Sequence, residues 1–118
     1  MTLEEKITML TAKWYRYVNI DHHKDRDCHL YIEKVWSYGD EPYYIAYHHG
    51  YIADDWTSPK CATEEMAQTF LHNKLEKLLI TEIKRLQGLD EEELNWQGIT
   101  KEKRDQLVKE LSVVFDKA

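Results

Sequence analysis

The patterning of this chain predicts an α+β fold, one small antiparallel sheet covered by long helices. Three observations carry that expectation. Apolar side chains recur at helical spacing near both ends of the chain, whereas residues 28–52 alternate with a period of two. Only four glycines and two prolines interrupt 118 residues, so the elements should be few and long. Eight of the fourteen aromatic residues fall between Tyr31 and Trp56, around the turn-like Gly39-Asp40-Glu41-Pro42. The length suits a single domain, residues 1–118, with enough chain to bury a core without disulfide or metal staples.

The first helix is expected from about Leu3 to Tyr17. Thr2-Leu3-Glu4-Glu5 has the form of a capping box. Leu3, Ile7, Leu10, Trp14, Tyr17 and Val18 then form one stripe. Asp21 to Asp27 is a charged connector. A hairpin of about 28–38 and 43–52 follows. Taking Gly39–Pro42 as its loop pairs Trp36 with Ile45 and Ile32 with His49. That register gives a core face of Leu30, Ile32, Trp36, Tyr38, Tyr43, Ile45, Tyr47 and Tyr51. It sends His29, Tyr31, Glu33, Val35, Tyr44, Ala46 and His48 to the polar face. Ala53 to Lys60 reads as a loop or a short extra edge strand.

Thr63, followed by Glu64 and Glu65, opens a long helix over about 64–87, with Gly88 as its stop. Its apolar stripe runs from Ala67 through Leu75 and Leu79 to Leu86. At 1.5 Å per residue it spans on the order of 36 Å, more than a two-stranded ribbon can cover. Residues 89–118 form a helical extension that packs on the long helix or on a second subunit. It contains a capped turn at Asp90–Trp96 and a C-terminal helix of about 101–116.

Charge excludes several partners. Residues 1–60 carry 7 Lys/Arg against 10 Asp/Glu, and residues 61–118 carry 9 against 12, so each half is −3. Neither half offers a basic footprint for nucleic acid or an anionic membrane. Met1–Lys6 does not read as a secretory signal, and no apolar run approaches the ~20 residues of a membrane span. A cytoplasmic protein with free thiols at Cys28 and Cys61 is the expectation.

Two constellations could carry chemistry. Glu33 and His48 fall opposite each other in the expected register, with His29, Tyr31 and Tyr44 around them. A carboxylate beside an imidazole can orient a general base. The plainer reading is a solvated cross-strand pair. The stretch Asp21-His22-His23-Lys24-Asp25-Arg26-Asp27-Cys28-His29 is rich in ligand types, but lacks paired CxxC or HxxxH spacing, so no metal or cofactor is assigned. Gly-rich phosphate loops and nucleophile elbows are absent from the sequence. The helix–ribbon–helix order, with Ala62-Thr63-Glu64-Glu65-Met66-Ala67 opening the second helix, resembles that of double-stranded RNA-binding domains. Glu64 and Glu65 replace the basic residues that hold phosphates there, so RNA binding is not implied.

The functional expectation is a non-enzymatic interaction or adaptor protein. It would bind a protein partner through His29, Tyr31, Glu33, Tyr44 and His48. The alternative is a small enzyme or a metal- or ligand-binding protein using the Glu33–His48 pair. A homodimer is slightly preferred over a monomer, because a helix longer than its sheet and open strand edges both leave surface to cover.

Overall fold

The computed structural model describes residues 2–18, 29–36, 38–50 and 55–116, with side chains through Ser112. In chain order they form α1 (Leu3–Val18), β1 (His29–Val35), β2 (Tyr43–His49), β3 (Trp56–Thr57), α2 (Glu64–Gln87), α3 (Glu91–Gln97) and α4 (Lys101–Asp116). The α+β architecture expected from the patterning is the one found, and the short third strand is an edge. The sheet is antiparallel in the order β1-β2-β3. Helix α2 packs against β1 and β2, while α1 and α4 pack on α2 and on each other. Among the described residues, no helix is long and apolar enough to cross a membrane.

Local chemistry sets the helix ends. The Thr2 hydroxyl accepts the Glu5 N–H at 3.1 Å and donates to the Glu5 carboxylate at 3.1 Å. Thr63 caps α2 through the Met66 N–H at 3.3 Å, Asp90 caps α3 through Glu93 at 2.8 Å, and Thr100 accepts from Lys103 at 3.1 Å. Each N–H bond to a threonine or aspartate oxygen satisfies an amide that the first helical turn leaves without a partner. Gly88 ends α2 at φ −86°, in right-handed space. Gly98, by contrast, lies in left-handed space at φ 71° and closes α3 before the turn into α4.

The core joins Leu10, Trp14 and Val18 of α1 to Leu71, Leu75, Leu79 and Leu86 of α2, with Leu30 and Ala46 below and Leu107 and Leu111 beside them. Each fully buried leucine contributes roughly 1.5–3 kcal/mol. The second half of α2 is thus covered by α1 and α4. A polar clasp crosses the α1–α2 seam. The Tyr17 hydroxyl donates to Glu82, whose carboxylate also accepts Arg85 Nη2 at 2.9 Å and Nε at 3.1 Å. Glu82 is only 6% exposed, so these bonds replace its lost hydration.

Candidate functional site

The hairpin register differs from the expected one. Val35 pairs with Tyr43, Glu33 with Ile45, Tyr31 with Tyr47, Leu30 with His48, and His29 with His49. The strands leave Trp36–Pro42 as a seven-residue connection, instead of the four-residue loop the turn signal suggested. The resulting shift is three positions, an odd number, so the two faces of β2 are exchanged relative to β1. Ala46 and His48 therefore turn toward the helices, and Tyr43, Ile45 and Tyr47 turn away. Packing explains why this register wins. Ala46, fully buried, is small enough for α2 to lie close on the strand, and the His48 ring meets Trp14 edge-on at 6.5 Å.

The observed register separates the expected site residues. His29, Tyr31 and Glu33 share the outer face, as the sequence suggested. Tyr44 faces inward, half-buried, and exchanges backbone bonds with Cys61 at 2.8 and 2.9 Å. His48 is 2% exposed in the core. Glu33 and His48 thus lie on opposite sides of the sheet, and the acid–base pair built on their juxtaposition does not exist. Trp36 and Tyr38, expected in the core, project at the hairpin tip, exposed, with the Lys34 ammonium 4.3 Å from the Trp36 ring. Asp21 to Cys28, and Tyr51 of the expected core face, lie outside the described residues.

What occupies the outer face is a band of tyrosine. Tyr31 and Tyr47 stack with ring centres 4.9 Å apart and planes 19° from parallel. Tyr43 lies beyond Tyr47, with the Lys60 ammonium 4.8 Å from its ring. The Tyr47 phenol is held above its ordinary range, first by desolvation and then by the charge and hydrogen bond of Glu33. At the other end His29 and His49 stack at 6.5 Å, and His49 Nδ1 approaches Asp55 at 2.9 Å. That hydrogen bond, with a second from the Gly50 N–H, holds the Asp55 carboxyl below its usual value. Val35, Ile45, Tyr43 and Tyr47 are half-buried and Tyr31 is 47% exposed. Among the described residues, none lies over this broad aromatic face.

Tyr43, Ile45, Tyr47 and His49 were missed because a turn signal alone set the register. The signal that could have found them is the small size of Ala46, which suits a residue beneath a helix. Elsewhere, the Cys61 thiol is buried and its Sγ lies 3.3 Å from the Pro59 carbonyl. Trp96 on α3 is 91% exposed, beside Glu92 and Glu93 along a shallow groove. Among the described residues, no group of three or more His, Cys, Asp and Glu could hold a metal ion. Comparison of the chain with protein-family models, curated proteins and solved structures gave no match.

Proposed function

We propose that this protein is a non-enzymatic interaction module that binds a protein partner through the outer face of its sheet. The observation that carries the reading is the stacked Tyr31–Tyr47 pair, flanked by Glu33 and Tyr43 on a face that the helices leave open. Rigid aromatic side chains with polar tips supply large contact area at low entropic cost, which is why they anchor interfaces. The mild acidity of the chain and the Glu33 carboxylate suit a partner that is basic at the contact.

The test compares wild-type protein with Tyr31→Ala/Tyr47→Ala in affinity capture from the native extract. Far-ultraviolet circular dichroism must show both to be folded. Partners retained by the wild type and lost by the double variant support the face, and retention of every partner by the folded variant rejects it. The same face would also serve a homodimer. Sedimentation separates the two arrangements, because a 14.2 kDa species at every concentration removes the dimer.

A further inference from the structure

Antiparallel pairing fixes where each backbone amide of β1 points, whatever its side chain does. Tyr44 exchanges both of its backbone bonds with Cys61, and Ala46 receives the Ser58 N–H at 2.9 Å while donating to Ser58 Oγ at 2.9 Å. The even-numbered residues of β2 therefore bond toward β3, and the odd-numbered ones toward β1. The odd residues stand opposite His29, Tyr31, Glu33 and Val35. Leu30, Ile32 and Lys34 must then direct their N–H and C=O groups to the outer edge. The Leu30 N–H is met by the Tyr15 hydroxyl at 2.8 Å, which confirms the phase. Among the described residues, the outward groups of Ile32 and Lys34 have no partner.

We infer that this edge accepts an extended segment of a protein partner as an added antiparallel strand, with a Lys or Arg of that segment directly across from Glu33. The inference rests on the interaction reading above and names its mode and its partner chemistry. A strand that adds to an edge gains main-chain bonds from the edge and specificity from alternate side chains. Glu33 bonds inward to β2, so the residue across from it on an added strand belongs to a non-hydrogen-bonded pair. Such pairs hold their Cα atoms about 4.5 Å apart, with the side chains at their closest. A cation there meets the exposed carboxylate, and its methylene stem lies beside the Tyr31 ring on the same face.

Register arithmetic disfavours a second copy as the occupant. A two-fold pairing within β1 that keeps core face beside core face and engages Ile32 or Lys34 must centre on Tyr31, Ile32, Glu33 or Lys34. Centring on Glu33 opposes two carboxylates, and centring on Lys34 opposes two ammonium groups. Centring on Ile32 sets Lys34 against Leu30, and centring on Tyr31 sets Ile32 against Leu30, whose N–H is already committed to Tyr15. A foreign strand with a basic residue avoids all four conflicts.

The experiment uses the full chain, labelled with nitrogen-15, and three capped pentapeptides. They are Thr-Val-Lys-Val-Thr, the same peptide with Glu for Lys, and the Lys peptide N-methylated at both valines. Those two amides would bond to the carbonyls of Ile32 and Lys34. The expected result is binding of the Lys peptide, with shifted and exchange-protected amides at Ile32 and Lys34. It should bind about fivefold tighter than the Glu peptide, with the preference inverted in Glu33→Lys. N-methylation should weaken binding at least about tenfold. If the N-methylated peptide binds as well as its parent and Tyr31→Ala abolishes both, the open face binds and the edge does not. If none of the three binds at millimolar concentration, the edge is rejected and the face reading stands on its own capture experiment.

Discussion

Removing one oxygen atom from the α1–α2 seam should measurably loosen the fold. In Tyr17→Phe the ring remains in the core and only the hydroxyl that donates to Glu82 is lost. A hydrogen bond to an ionised group contributes about 1.5–3 kcal/mol, and Glu82 is too buried for water to replace it fully. Arg85 still grips the carboxylate through Nε and Nη2, so the cost should fall near the lower half of that range, about 2 kcal/mol. At about 3–5 °C per kcal/mol for a domain of this size, Tm should drop by about 6–10 °C.

The effect should also depend on pH. Burial first, and then the bond and charge of Glu82, push the Tyr17 phenol well above its ordinary value of 10.0. Its folded pKa thus exceeds its unfolded one, so its stabilisation is complete below about pH 10 and declines as pH rises toward the folded value. The gap between wild type and Tyr17→Phe should therefore shrink above pH 10, by about 1.4 kcal/mol per pH unit. Urea unfolding at pH 7, 10 and 11 reads both effects. A gap under about 0.5 kcal/mol at pH 7 would mean that Arg85 alone satisfies the carboxylate, and a gap constant to pH 11 would refute the titration argument.

The two glycines after helices should respond oppositely to alanine. Gly98→Ala forces a left-handed residue and should cost about 1–2 kcal/mol although its Cβ meets nothing within 4 Å. Gly88→Ala sits in right-handed space with an ordinary 3.5 Å contact to the Lys84 carbonyl, and should stabilise by about 0.4–1 kcal/mol in thermal unfolding. Ala46→Leu should overpack the α2–sheet contact and cost about 1–3 kcal/mol in chemical denaturation. Asp55 should titrate below its ordinary value in carboxyl-detected NMR, returning upward in His49→Gln. Its contribution is present above the ordinary carboxyl pKa and lost on acidification.

The helices were legible because their signals are local. Thr2, Thr63, Asp90 and Thr100 each mark an end within three residues of the amide they bond, and the apolar stripes repeat every turn. The sheet was legible in kind but not in register. Tyrosine suits both a core and a wet face, so the run Tyr43, Tyr44, Tyr47 could not say which side was inside, and the Gly39–Pro42 turn signal marks a shorter loop than the strands leave. His29, Tyr31 and Glu33 survived as neighbours because they alternate on one strand. Tyr44 and His48 did not, because their placement depended on pairing across the hairpin. The Tyr17–Glu82–Arg85 clasp could not be read at all, since its two halves lie 65 residues apart in the chain.

That separation has a kinetic consequence. The hairpin forms from near neighbours, whereas the clasp must close a long loop, and such contacts are won late. Helix α1 should then be the last piece to dock and the first to leave in partial opening. Its release would free the Tyr15 hydroxyl from Leu30 along with Tyr17 from Glu82. An excursion at one end of the chain would thus lengthen the bare stretch of β1 by one hydrogen-bonding residue. Native-state exchange would register this as a Leu30 amide that opens together with the amides of α1.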